Sequence, residues 1–65
     1  MELSTNSKKL LDILDELAHL NALLNRQVGR GDFESAYSIA KTMSIKISSL
    51  LEELYIYLLQ SGEVR

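Results

Sequence analysis

Val28-Gly29-Arg30-Gly31-Asp32-Phe33 is the stretch that decides how this chain folds. Glycine takes the left-handed conformation that closes a helix, so Gly29-Arg30-Gly31 reads as a helix end. Asp32 follows directly and suits the N-cap of a second helix, with Glu34 in the first turn favoured by the helix dipole. No proline interrupts the chain on either side. One helix therefore enters this turn and another leaves it.

Upstream, apolar residues recur as Leu10, Ile13, Leu14, Leu17, Leu20, Leu24 and Val28. That three-four spacing predicts a helix over about 6–28, with an N-cap among Ser4 to Ser7. Lys8 and Lys9 meet the unfavourable end of the dipole there, so fraying is expected. Downstream, Phe33, Ala36, Ala40, Met43, Ile47, Leu50, Leu54 and Tyr57 form an unbroken heptad-like series, which predicts a second helix over about 33–60.

In a hairpin folded about Arg30, facing residues should have numbers with a constant sum. Leu24 with Ala36, Leu20 with Ala40, Leu17 with Met43, Ile13 with Ile47 and Leu10 with Leu50 all sum to 60. The same constant sets Gln27 against Phe33, Asn6 against Leu54 and Leu3 against Tyr57. The reading is all-α: an antiparallel two-helix hairpin, residues 1–65 forming a single domain, whose core is those ten residues together with Leu54.

The segment Leu50 to Leu59, L-L-E-E-L-Y-I-Y-L-L, is apolar almost all the way round a helix. A helix of that kind is buried on all sides. Leu51, Tyr55, Ile56, Leu58 and Leu59 have no counterpart on helix 1, and Leu11, Leu14, Leu23, Ile39 and Ile45 add uncovered apolar surface. A chain of 65 residues is near the lower limit for independent folding. Proteins this small add disulfides, metal or self-association. There is no cysteine and only one histidine. Self-association remains, and pairing two hairpins into a four-helix bundle would bury most of the surplus. A homodimer is expected, a tetramer is compatible, and the expected interface is Leu11, Leu14, Leu51, Tyr55, Ile56, Leu58 and Leu59.

A net charge of −2 and a pI near 5.2 give no bulk attraction to nucleic acid or anionic lipid. The opening residues lack the apolar core of a signal peptide, and no apolar run approaches the ~20 residues of a membrane span. The cytoplasm is the expected compartment.

Three arrangements bear on chemistry. Glu16-Leu17-Ala18-His19 has the Glu-x-x-His spacing of di-iron bundles, but those ligands point into the core, where Leu17 and Leu20 already lie. Ser35, Ser38, Thr42, Ser44, Ser48 and Ser49 line helix 2 with no base to activate them. Glu52 and Glu53 diverge by about 100° on a helix and cannot share a site. No enzyme, cofactor or metal is expected.

The helix plan resembles Rop, the plasmid RNA-binding hairpin that dimerises into a four-helix bundle, in length and architecture. That resemblance implies an RNA-binding regulator, with Asn21, Asn25, Arg26 and Gln27 offering polar contacts. Gly31, Phe33 and Ala36 resemble the inter-helix turn of a tetratricopeptide repeat, though one unit makes no solenoid. Met43 to Leu51 is similar to the signature of the sporulation aspartyl-phosphate phosphatases, also helical hairpins. Ile45 and Ser48 stand where that family has glutamine and its functional aspartate, so the resemblance implies a regulatory hairpin without the phosphatase chemistry. The leading expectation is a small non-enzymatic protein–protein interaction module, such as an adaptor, co-chaperone or regulator of a larger protein partner.

Overall fold

The computed structural model describes residues 5–61, with side chains for residues 8–60. Two helices, α1 (Thr5–Gly29) and α2 (Phe33–Ser61), pack against each other as a hairpin. There is no strand among the described residues. The molecule is only 12 Å thick in its shortest dimension, about the diameter of a single helix. The pair forms one layer, and both of its broad faces are open.

The turn shows why these residues reverse the chain. Gly31 has a φ of 77°, the left-handed conformation, and no other described residue has a positive φ. Its N–H donates to the Val28 carbonyl at 3.0 Å, while the Asp32 N–H donates to the Gln27 carbonyl at 2.9 Å. These are the two bonds of a Schellman motif, which satisfy carbonyls that α1 leaves unpaired. Asp32 then caps α2: its Oδ1 accepts from the Ser35 N–H at 3.2 Å. Closure falls on Gly31, whereas Gly29 is still helical.

The inner column of α1 is Leu10, Ile13, Leu17, Leu20, Leu24 and Gln27, with Leu23 half-buried beside it. Among the described residues Ile13 and Ala36 are the two buried apolar ones, at 9% and 6% exposure. On α2 the inner column is Ala36, Ile39, Met43, Lys46, Leu50, Glu53 and Tyr57. This corrects half of the expected α2 core. Ala40, Ile47 and Leu54 are exposed, Ile47 by 44% and Leu54 by 39%, and Ile39, Lys46 and Glu53 stand in their place.

The physical reason is that Lys46 and Glu53 need no water at their stems. Long charged side chains lay apolar methylenes along a seam and deliver the charge to its edge. There Lys46 Nζ meets Glu16 Oε1 at 2.8 Å and Lys9 Nζ meets Glu53 Oε2 at 3.2 Å. Position 9 opposite 53 and 16 opposite 46 give a constant of 62, a slide of one residue per helix from the expected 60. The pairings expected for Leu3 and Asn6 lie outside the described side chains. Val28, expected on the inner stripe, is exposed and Gln27 turns inward instead.

Candidate interaction surface

A helix advances about 100° per residue, so the inner columns define which residues flank them on each side. Because α1 and α2 run antiparallel, residues displaced in the same rotational sense emerge on the same broad face. Lys9, Glu16, Lys46 and Glu53 all fall on one face, as the two ion pairs require. The other face receives Leu11, Leu14, Ala18, Asn21, Ala22, Asn25 and Val28 from α1. From α2 it receives Phe33, Tyr37, Ala40, Ser44, Ile47, Leu51, Leu54, Tyr55 and Leu58. This face carries no charged residue.

Among the described residues thirteen large apolar side chains are exposed, and ten of them belong to this uncharged face. They are Leu11, Leu14, Val28, Phe33, Tyr37, Ile47, Leu51, Leu54, Tyr55 and Leu58. Phe33, Tyr37 and Leu51 stand out most, at 67%, 68% and 64% exposure. Ten such side chains at roughly half exposure amount to about 750 Å², taking about 150 Å² each, the low end of the aromatic range because seven are aliphatic. The largest apolar patch on a typical monomer is about 300–600 Å².

The α2 part of this face is itself a heptad column: Phe33, Tyr37, Ala40, Ser44, Ile47, Leu51, Leu54 and Leu58. α2 therefore carries two seams side by side, one turned to α1 and one turned outward. An apolar arc that wide is what a helix with neighbours on two sides requires. At its rim, Lys41 Nζ lies 5.9 Å from the centre of the Tyr37 ring, a cation–π approach.

Of the seven residues expected at an interface, Leu11, Leu14, Leu51, Tyr55 and Leu58 share the uncharged face. Ile56 and Leu59 do not: Ile56 projects on the ion-pair face and Leu59 away from α1. Ile45 likewise lies off the uncharged face, while Leu23 and Ile39 are half-buried in the hairpin. Val28, Phe33, Tyr37, Ile47 and Leu54 belong to the patch and were not expected there. The signal for four of them was present as the 33/37/40/44/47/51/54/58 spacing.

The ion-pair face carries the charged pairs, with Ile56 exposed beside them. An open groove there is lined by Asp15, Glu16, His19, Leu20, Thr42 and Lys46 among others. No group of three or more metal-ligating side chains gathers among the described residues. The Thr42 hydroxyl donates to the Ser38 carbonyl at 3.2 Å and the Ser44 hydroxyl to the Lys41 carbonyl at 3.0 Å. Both are turned back onto the helix backbone. Among the described residues no helix is long and apolar enough to cross a membrane.

No family model, characterised protein or solved structure matches the chain.

Proposed function

We propose that the chain is a small non-enzymatic protein–protein interaction module that works as an oligomeric hairpin, with two copies forming a four-helix bundle. The observation that carries the reading is the gathering of ten exposed apolar side chains on one charge-free face. Interface centres are depleted in charge and enriched in aromatic residues, and Phe33, Tyr37 and Tyr55 all lie here. The face has no convergent polar groups of the kind that orient a small substrate.

An adaptor, co-chaperone or regulator of a larger protein fits this design. With the uncharged face occupied by self-association, the ion-pair face and its groove are left for the larger partner. The RNA-binding alternative draws less support. Lys9 and Lys46 are engaged by Glu53 and Glu16, and the remaining cations are scattered.

Sedimentation equilibrium across a wide concentration range tests the oligomer, which predicts a mass above that of one hairpin. A single-hairpin mass at high concentration removes the self-association. Titration with structured RNA at low and high salt tests the alternative. Tight, salt-sensitive binding, lost on changing Arg26, would replace the protein-interaction reading.

A further inference from the structure

We propose that a second copy of the chain covers the uncharged face through a two-fold axis perpendicular to the helices, at the level of the Glu16–Lys46 ion pair. This rests on the self-association proposed above and specifies its geometry. The two hairpins then lie face to face with their turns at opposite ends of the bundle.

The argument begins with the order of side-chain sizes. Along the outer column of α2 the residues run large at Phe33 and Tyr37, small at Ala40 and Ser44, then large from Ile47 to Leu58. Packed against a reversed copy of itself, this column places Ser44 opposite Ile47, Ala40 opposite Leu51, Tyr37 opposite Leu54 and Phe33 opposite Leu58. In the two central layers each small residue receives a large one.

The outer column of α1 does the same. Reversed on itself, it sets Leu14 against Ala18 and Leu11 against Asn21, a leucine against a smaller residue in each layer. The two reversals need one common centre. On α2 it falls between Ser44 and Ile47, and on α1 between Leu14 and Ala18. Those levels coincide within the hairpin, because the ion pair ties position 16 to position 46. One axis therefore serves both helices.

The competing closed arrangement has its axis along the bundle, with both turns at the same end. It sets α2 of one copy against α1 of the other in the hairpin's own register. Ala40 then meets Ala22 and Ser44 meets Ala18, while Leu51 meets Leu11. Small residues would face small ones across a void, and large ones would crowd the next layer. Close-packed interiors tolerate neither.

The size of the face fits this occupant. About 750 Å² of apolar surface is close to the roughly 800 Å² per partner of a standard interface. A face without charge is also self-compatible, because a two-fold contact sets each residue near its own kind.

The chain has no cysteine, so Arg30→Cys gives a single labelling site at the turn, away from the proposed interface. Nitroxide labels there should lie about 45 Å apart in the dimer, from a rise of 1.5 Å per residue on both sides of the axis. In parallel, Leu51→Glu should weaken dimerisation at least tenfold, and Ile45→Glu, off the face, should leave it unchanged.

A dimer with labels within about 25 Å, as turns on neighbouring helices with axes about 8–10 Å apart would place them, overturns the geometry but leaves self-association standing. Loss of the dimer in Ile45→Glu with retention in Leu51→Glu overturns the choice of face. A single-hairpin mass at high concentration overturns both readings and leaves the face for a foreign helix. If Leu51→Glu does not fold, the label distance decides alone, because Arg30→Cys keeps the face intact.

Discussion

Lys46 and Ile47 are neighbours in the chain and emerge on opposite faces of the hairpin. The Lys46 ammonium reaches Glu16 at 2.8 Å, whereas Ile47 stands 44% exposed on the side without charge. The boundary between the two surfaces of this protein runs between these two side chains.

The ion pairs hold the edge of the seam and contribute modestly. Glu16→Gln should lower stability by about 0.2–1 kcal/mol, the range for exposed pairs. In roughly 1 M salt, where the screening length falls to about 3 Å, most of that difference should vanish. Urea denaturation at two salt concentrations and one fixed protein concentration measures it. A loss that persists in high salt would mean that Glu16 acts through packing.

The two glycines of the turn should respond to alanine with opposite signs. Gly29 is helical and a Cβ there would meet nothing within 4 Å, so Gly29→Ala should stabilise by about 1 kcal/mol. A Cβ on Gly31 also enters open space, but its φ of +77° makes Gly31→Ala cost about 1–2 kcal/mol. Thermal melts followed by circular dichroism should order the variants Gly29→Ala, wild type, Gly31→Ala.

Asp32 holds the first turn of α2 through the Ser35 N–H. Asp32→Ala should therefore cost about 1 kcal/mol, while Asp32→Ser should recover most of it. If serine fails to rescue, the contribution is charge rather than the capping bond.

Ile13 is the most enclosed large side chain among the described residues, at 9% exposure. Ile13→Ala should cost about 2–5 kcal/mol, enough to approach unfolding in a chain this small. Chemical denaturation at high protein concentration gives the value. A cost below about 1 kcal/mol would place the true core elsewhere.

Tyr55 lies on the uncharged face at 55% exposure. Tyr55→Ser should weaken association while helicity at high concentration stays near wild type. Sedimentation and far-ultraviolet circular dichroism on the same samples separate the two effects. Association as tight as wild type would remove Tyr55 from the interface.

The turn, the two helices and the inner column of α1 were legible in the sequence because they rest on local chemistry. Gly31 and Asp32 announce themselves, and Leu10, Ile13, Leu17, Leu20 and Leu24 have polar residues on the opposite side. α2 was legible only in part, because it is apolar over more than half its circumference. The heptad series chosen there joined Ala36, Met43, Leu50 and Tyr57 from the inner column to Phe33, Ala40, Ile47 and Leu54 from the outer one. Hydropathy favours Ile47 over Lys46 and Leu54 over Glu53. It takes no account of the partners, Glu16 and Lys9, that wait across the seam to receive those charges.

The single left-handed residue at position 31 carries a consequence for topology. Outside residues 30–32 the described chain is helical throughout, so a straightened turn would let α1 run on into α2. The product would be one rod of about 85 Å at 1.5 Å per residue. Two such rods could exchange halves and rebuild the same seams between molecules instead of within one. Gly31 is thus the residue that keeps each molecule's two halves its own.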